Sequence, residues 1–303
     1  MISIIICSKE PSLLQRISAN IAKTIGVEHE IIPVLNPHGE YGICKAYNSG
    51  ASQSRYPFLC FVHEDVSFRT EHWGEIVIKI LADHSIGLIG VAGNIHKMPT
   101  ISGWWGVTQD RSTYRRQIIQ TSPLNGQTRH EYENPLQETL ADVVVLDGVW
   151  LCCRTEIWQE IPFDEDTFPG FHFYDIDFSL HVQQQYRVCV TFEMILEHYS
   201  DGNFTAAWYR DGIRFLNKWE NHLPVSVSDE SQETMQQIVL QEYQAGYHLL
   251  LQVAAKKLQK LEEKSQKLKG LKASKEYRLG RALLFPLKWL FAVASTVFRR
   301  TIN

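Results

Sequence analysis

Short apolar runs alternate with longer amphipathic segments at the start of this 303-residue chain. Runs of strand length occupy residues 2–7, 30–34, 58–62 and 86–92, and segments of helix length occupy residues 12–24, 43–54 and 71–82. Such alternation predicts an α/β fold in which helices cover a mostly parallel, Rossmann-like central sheet. Ligands of such sheets bind beyond the carboxyl ends of the strands. We therefore expect a site where the first and third strands end, at residues 8–9 and 63–65.

The charge of the chain is unevenly distributed. Residues 256–303 contain 13 Lys and Arg against 3 Asp and Glu, whereas residues 1–255 contain 17 against 31. The net charge is therefore +10 for the C-terminal part and −14 for the rest, although the whole chain carries only −4. An acidic body argues against general nucleic-acid binding, and a basic, leucine-rich tail suits an anionic membrane surface.

The six cysteines form no Cys-X-X-Cys pair and lie mostly in apolar runs. This usage indicates reduced, buried thiols rather than a disulfide or zinc framework. The first apolar strand begins at residue 2, with no basic region or cleavage site before it. We therefore expect a cytoplasmic protein.

Two carboxylates lie inside an aromatic run at residues 170–180, Gly-Phe-His-Phe-Tyr-Asp-Ile-Asp-Phe-Ser-Leu. A carboxylate in apolar surroundings acquires a perturbed pKa, and such groups are common where protons or metal ions are handled. Because Asp is also a preferred N-cap residue, Asp175 or Asp177 could instead cap a helix that begins at Phe178. For Asp177 both interpretations stay open, and for Asp175 we favour a functional role.

Six short motifs, in order, carry a resemblance to a known family: residues 2–8, 46–50, 61–66, 147–148, 162–165 and 171–180. Together they resemble GT-A glycosyltransferases of the family-2, glycosyltransferase-like kind, over residues 1–223. The resemblance implies a metal-dependent, inverting hexosyltransferase. Such an enzyme would move a sugar from a nucleoside diphosphate donor to a glycan, lipid-linked acceptor in cell-surface polysaccharide synthesis.

The resemblance also implies a site for Mn²⁺ or Mg²⁺. The family's Asp-X-Asp motif appears here as residues 63–65, His-Glu-Asp, which makes Asp65 the expected metal ligand. His198 resembles the position at which several GT-A enzymes place a further ligand. Carboxylate oxygens suit such hard cations, which neutralise the charge that develops on a departing diphosphate.

By the same resemblance, Asp175 is the general base that removes the proton from the acceptor hydroxyl. The residues expected to bind the donor are Ser8, Lys9, Asn36, Asn48 and Glu64. Those expected beside the acceptor, or in support of the site, are Trp104, Trp105, Asp147, His172 and Asp177. Asn36 replaces the acidic residue usual in the family, and the alternative for Asn48 is an ordinary place on an amphipathic helix.

The remaining segments complete the expected organisation, a glycosyltransferase domain at 1–225, a long helix at 226–275 and an amphipathic tail at 276–303. Within the domain, the polar segment 93–141 is predicted to be a long loop. The helix has an imperfect heptad pattern. It either packs on the body, leads to a membrane or pairs in a coiled-coil homodimer. The tail is predicted to bind peripherally at the inner face of the cell membrane, and the alternative is a helix that closes the core.

Two other functions remain compatible with the sequence. The departure from Asp-X-Asp at residues 63–65 permits a non-catalytic, glycosyltransferase-like membrane scaffold or glycan-binding protein. A metal-dependent hydrolase on a similar sheet would release sugar or phosphate without an acceptor.

Overall fold

The computed structural model describes residues 1–200, 202, 205–275, 277 and 279. The chain divides into two compact units, Met1–Gly246 and the residues from Tyr247 onward. The helices, in chain order, are α1 (Pro11–Thr24), α2 (Ile43–Ala51), α3 (Trp73–Leu81), α4 (Thr155–Glu160), α5 (Tyr174–Gln183), α6 (Ala206–Trp219) and α7 (Gln232–Ala273). The strands are β1 (Ile2–Ser8), β2 (His29–Leu35), β3 (Phe58–His63), β4 (Val66–Phe68), β5 (Ile86–Gly90), β6 (Ala92–Asn94), β7 (His96–Lys97), β8 (Tyr114–Thr121), β9 (Thr128–Glu133), β10 (Leu140–Val143), β11 (Val145–Leu146), β12 (Trp150–Arg154), β13 (Arg187–Thr191), β14 (Leu196–His198) and β15 (Val225–Ser226).

A seven-stranded sheet with the order β10-β13-β5-β12-β3-β1-β2 forms the centre of the first unit. β1 is parallel to β2 and β3, and β13 is parallel to β5. β12 is antiparallel to β3 and β5, and β10 is antiparallel to β13. The sheet is therefore mixed, with β12 between β5 and β3 and antiparallel to both. The predicted α/β architecture with a long C-terminal helix is confirmed.

Side chains of β1 point alternately to the two faces of the central sheet, as the pleat of a strand requires. Ile4 and Ile6 belong to a core that includes Trp73 of α3. Ile5 faces the other way, into a core that includes Tyr47 of α2 and Phe61 of β3. Because both faces are covered, β1 is apolar along nearly its whole length, which is why the sequence identifies it as a strand.

The segment of residues 93–141 contains strands, so the prediction of a long loop was wrong. β8 and β9 form an antiparallel hairpin. β8 also belongs to a second sheet of order β11-β6-β8-β14-β4. Polar side chains hold the hairpin, because Arg116 of β8 forms ion pairs with Glu131 and Glu133 of β9. Gly126, with a φ of 70°, lies in the connection between the strands. Strands held by ion pairs lack the apolar periodicity from which strands are predicted.

α7 extends over 42 residues. Near its start the Thr234 amide donates a hydrogen bond of 3.2 Å to Ser231 Oγ. Within the described part of the chain, no helix has the length and apolarity needed to cross a membrane. The predicted tail at 276–303 lies outside the described residues apart from positions 277 and 279. The homodimer through α7 stays a prediction.

Candidate active site

Glu64 directly follows β3, and its carboxylate links the end of β3 to the end of β1. Its carboxylate accepts hydrogen bonds from Ser8 Oγ at 2.7 Å and from the Lys9 and Glu10 amides at 3.1 Å. These three donors lie where β1 passes into α1. Ser8 therefore orients Glu64, and the two side chains fix the edge at which the ends of the parallel strands meet.

His63, Asp65 and His198 form a cluster at this edge. One potential ligand atom from each residue lies within 4.8 Å of the others. Pairing of β14 with β4 brings His198 to this place, with its Nε2 3.5 Å from Asp65 Oδ1. His198 Nδ1 is buried and has no hydrogen-bond partner among the described residues. Two imidazoles and a carboxylate form a suitable ligand set for a divalent transition metal such as Mn²⁺.

The electrostatics differ among the three residues of this cluster. Burial disfavours the charged form of Asp65, yet the hydrogen bond from His198 and the positive charges of His63 and His198 lower the pKa of Asp65 overall. Burial is the main reason why the pKa of His63 is lowered. Burial opposes the charged form of His198, but the hydrogen bond to Asp65 and the charge of Asp65 raise the pKa of His198 overall. Ionised carboxylates and neutral imidazoles are the forms that ligate metals, so a cation bound here would displace the proton of His198.

A hydrogen-bonded chain orients the His63 ring. Tyr174 Oη donates to the Gly148 carbonyl at 3.2 Å and lies 2.8 Å from His63 Nε2. Because the single hydroxyl proton goes to Gly148, Nε2 of His63 acts as the donor to Tyr174. The lone pair then lies on Nδ1, and an imidazole anchored in this way at its second nitrogen is typical of metal ligands.

Asp175 lies in the first turn of α5, and its Oδ2 accepts a hydrogen bond of 2.9 Å from the Gly148 amide. Burial, together with the negative charge of Asp147, raises the pKa of Asp175 to about 7. Phe173, with a φ of 64°, is the N-cap residue of α5. The alternative interpretation, in which Asp175 or Asp177 caps this helix, was therefore wrong.

Asp177 is buried and connects α5 to α6. It accepts hydrogen bonds of 2.8 Å from Trp219 Nε1 and 2.9 Å from Lys218 Nζ, and Lys218 also bonds Asp164. All of these partners belong to the protein itself. Asp177 therefore lies in a structural network, away from the cavities described next.

Two cavities meet at His63 and Asp65. The first, of about 760 Å³, is also lined by Trp104, Trp105, Asp147, His172, His198, Trp208 and polar side chains of the β8–β9 hairpin. The second, of about 650 Å³, is also lined by Lys9, Asn36, Glu64, Phe171 and Tyr174. Asp147 lines the first cavity, whereas Asp175 lies behind it on the Gly148 amide.

Two residues expected to bind the donor make other contacts. Asn48 bonds the Phe163 carbonyl at 2.8 Å and the Trp158 indole at 2.9 Å, so it holds the segment after β12 onto α2. Asn36 does line the second cavity, but its side chain also closes a turn through two bonds to the Tyr41 backbone.

Several residues of the site were not predicted from the sequence. Tyr174 was treated only as an apolar neighbour of Asp175, although it orients His63. Trp208 of α6 stacks on Trp105 with 6.5 Å between ring centroids. On the hairpin, Gln120, Arg129 and Glu131 line the first cavity, and their alternate spacing on β8 and β9 was the signal that could have identified them.

The fold resembles solved glycosyltransferase structures. GalNAc-T7, crystallised with UDP, GalNAc and Mn²⁺, aligns with a TM-score of 0.52 and 11% identity over 73% of this chain and 48% of its own. Residues 1–349 of S. aureus TarS align with a TM-score of 0.51 and 13% identity over 82% of this chain and 72% of theirs. The chain thus spans about half the length of the GalNAc-T7 chain. At these identities the likeness concerns the fold, which is that of GT-A glycosyltransferases.

No protein with a curated description matches the sequence significantly. A family model does match, from residue 3 to residue 243, and its description is glycosyltransferase-like family. Apart from Ile2, these residues include all three sheets, and they also include the His63, Asp65 and His198 cluster and the start of α7. The chain therefore belongs to the glycosyltransferase-like family.

Proposed function

We propose that this protein is a metal-dependent, inverting hexosyltransferase that transfers a sugar from a nucleoside diphosphate donor to a lipid-linked glycan in cell-surface polysaccharide synthesis. The observation that carries the proposal is the meeting of two cavities at His63 and Asp65. A two-substrate transfer requires this arrangement, because donor and acceptor approach the same reacting carbon from different sides.

The second cavity suits the nucleoside diphosphate. Its volume, about 650 Å³, falls in the range of small-molecule sites, and it opens at the ends of β1 and β2. Lys9 supplies a positive charge there, and the exposed Phe171 ring supplies a surface for a base. UDP is the nucleotide to test first, because GalNAc-T7 was crystallised with UDP and Mn²⁺.

Asp65, His63 and His198 would hold the cation where the donor cavity meets the first cavity. Bound there, Mn²⁺ or Mg²⁺ would neutralise the charge that develops on the leaving diphosphate. The ring of His63 is held ready by Tyr174, and the Glu64 carboxylate keeps the adjacent strand ends together.

The first cavity suits the sugar and the acceptor. Trp104 and Trp105 offer aromatic faces, which complement the apolar faces of pyranose rings, and polar side chains of the hairpin offer hydrogen bonds. Asp175 would accept the proton of the acceptor hydroxyl, since a pKa of about 7 suits a general base at neutral pH. Asp147 is the competing candidate because it lines the cavity directly. Attack by the acceptor hydroxyl in a single displacement, assisted by one base, inverts the configuration at the anomeric carbon of the sugar.

The lipid-linked acceptor, the anionic membrane surface and the place at the inner membrane face are proposed from the sequence of residues 256–303. Their 13 basic residues against 3 acidic ones favour a surface rich in anionic lipids.

The test is release of nucleoside diphosphate from a panel of nucleotide sugars with Mn²⁺, Mg²⁺ or EDTA. The variants are Asp65→Ala, Asp175→Asn and Asp147→Asn, and the control is Asp166→Asn, which changes an exposed carboxylate. We expect metal-dependent release from one donor. Asp65→Ala and Asp175→Asn should lose this release, and the control should keep it.

Other outcomes distinguish the alternatives. Loss in Asp147→Asn but not in Asp175→Asn would transfer the role of base to Asp147. Donor binding by the wild type without release under any condition would favour a glycan-binding or scaffold protein. Release that no acceptor accelerates would favour a hydrolase.

A further inference from the structure

The loop of residues 98–108, here called the tryptophan loop, forms part of the wall of the first cavity. It carries Trp104 and Trp105, which both line that cavity. Trp104 packs against Tyr114 of β8 with 5.2 Å between ring centroids, and Trp105 stacks on Trp208 of α6. The position of this loop therefore determines where two aromatic faces stand in the cavity.

A buried cation holds the first half of the tryptophan loop. Lys97 ends β7, and its Nζ donates to the Ser102 carbonyl at 3.0 Å, to Ser102 Oγ at 2.7 Å and, at longer range, to the Thr100 and Gly103 carbonyls. Burial lowers the pKa of Lys97 to about 7, and the negative charge of Glu242 opposes that shift. The ammonium group thus meets backbone acceptors.

A buried anion holds the second half. Glu242 of α7 is only 2% exposed, and its carboxylate accepts hydrogen bonds from the Val107 amide at 2.6 Å and the Thr108 amide at 2.9 Å. The Thr108 hydroxyl donates a further, short bond, and the Thr100 hydroxyl donates one of 3.4 Å. Every one of these hydrogen bonds reaches the tryptophan loop, and two of them satisfy backbone amides.

The close approach of Glu242 depends on Gly106. A Cβ atom at position 106 would lie 2.7 Å from Glu242 Oε1, closer than such atoms are found in proteins. Burial of an ionised carboxylate is costly unless its oxygens are hydrogen-bonded. Most polar side chains of α7 are exposed and avoid this cost. The burial of Glu242 therefore indicates a specific role rather than general helix packing.

We propose that Glu242 is a positioning residue of the first cavity, because it fixes the tryptophan loop and with it the faces of Trp104 and Trp105. The family match ends at residue 243, so this part of α7 lies inside the glycosyltransferase region. The assignment of the first cavity to the acceptor rests on the proposed function. The placement of the loop by Glu242 does not.

The experiment measures the two tryptophans directly in the full chain. The protein is labelled with 5-fluorotryptophan, and ¹⁹F NMR resonances of its eight tryptophans are assigned by single Trp→Phe substitutions. The variants are Glu242→Ala, Glu242→Gln, which keeps one acceptor oxygen, and Gly106→Ala, which displaces the carboxylate without removing it. The control is Glu233→Ala, an exposed glutamate on the same helix.

We expect Glu242→Ala and Gly106→Ala to shift or broaden the Trp104 and Trp105 resonances by more than a linewidth, and Glu242→Gln to have a smaller effect. The resonances of Trp73 and Trp150, in the core of the central sheet, should not move, and the control should match the wild type. Binding of UDP in the presence of Mn²⁺, measured by calorimetry, should stay within about twofold because the donor cavity lies apart from the loop.

Three other results would contradict either the role of Glu242 or the proposed function. Unchanged Trp104 and Trp105 resonances in Glu242→Ala would overturn the positioning role. Equal shifts of all eight tryptophans would also overturn it, because they would indicate a general loss of structure. Absence of UDP binding in the wild type and every variant would count against the proposed function, and the ¹⁹F spectra would still decide on Glu242.

Discussion

At the scale of single residues, the chemistry of the site depends on the protonation of Asp175. With a pKa of about 7, roughly a tenth of this carboxyl group is ionised at pH 6. If Asp175 is the base, kcat/KM for transfer should rise about tenfold per pH unit below pH 7 and level off above it. The measurement is a pH profile of nucleoside diphosphate release from 5.5 to 8.5. A profile that stays flat across this range would contradict the assignment.

The same carboxyl group affects stability. Its pKa rises from 3.8 when unfolded to about 7 when folded, so the native state binds the proton more tightly. The ionised form is thus disfavoured by folding, and the folded state loses stability as the pH rises from 4 to 7. Asp175→Asn should therefore raise the free energy of unfolding at pH 8 by about 1 to 4 kcal/mol.

This gain should shrink to below about 1 kcal/mol near pH 4, where the carboxyl group is protonated in the folded state and partly protonated in the unfolded state. Urea unfolding of wild type and Asp175→Asn at the two pH values measures it. Asp166→Asn, at an exposed position, serves as the control and should show no difference at either pH. A stabilised but inactive Asp175→Asn variant would indicate that the site trades stability for function.

The candidate metal-binding cluster of His63, Asp65 and His198 gives a third prediction at this scale. His198→Ala removes one nitrogen ligand and also the hydrogen bond to Asp65. Affinity for Mn²⁺ should fall at least about tenfold, as measured by the EPR signal of free Mn²⁺ in a titration. His130→Ala, at an exposed position on β9, should bind Mn²⁺ like the wild type. Equal affinities in the two variants would exclude His198 as a ligand.

At the scale of elements, α5 keeps its place through a buried ion pair with α6. Asp177→Ala would leave the buried Trp219 indole without its acceptor, whereas the partly exposed Lys218 would keep its ion pair with Asp164. A buried donor left without its acceptor costs about 1–3 kcal/mol. We therefore expect Asp177→Ala to lower the free energy of unfolding, measured with urea, by this amount. A cost below that of a surface substitution would show that water reaches the network.

The elements also show what the sequence could predict. The strands β1, β2 and β3 and the helices between them were predictable because continuous apolar runs and amphipathic spacing are local signals. The acidic edge at residues 63–65 followed from the place where β3 ends. Each of these features depends on residues that are close together in the chain.

What escaped prediction depends on residues far apart in the chain. The ion pairs of the β8–β9 hairpin replace the apolar alternation that marks most strands. The network around Asp177 could not be predicted because its partners, Lys218 and Trp219, lie some forty positions later. Glu242 looks like any polar residue of a solvated helix until its four hydrogen bonds to a distant loop are seen.

At the scale of the whole molecule, charge separates the acidic residues 1–255, with −14, from the basic residues 256–303, with +10. An acidic body is repelled by anionic lipid, so attraction to such a surface has to come from the C-terminal part. Each basic residue near an anionic surface contributes about 1 kcal/mol, and salt screens the attraction.

Deletion of residues 277–303 should therefore release the protein from anionic liposomes, because it removes basic and bulky apolar residues together. The measurement is sedimentation with phosphatidylglycerol vesicles, and vesicles of phosphatidylcholine test the role of charge. A second variant keeps the apolar residues and replaces Arg278, Arg281, Lys288, Arg299 and Arg300 with Gln. If charge provides the attraction, this variant should bind as weakly as the deletion, and salt should release the wild type. If the variant sediments like the wild type while the deletion does not, apolar insertion is the main contribution. Unchanged sedimentation of the deletion would contradict membrane binding through this segment.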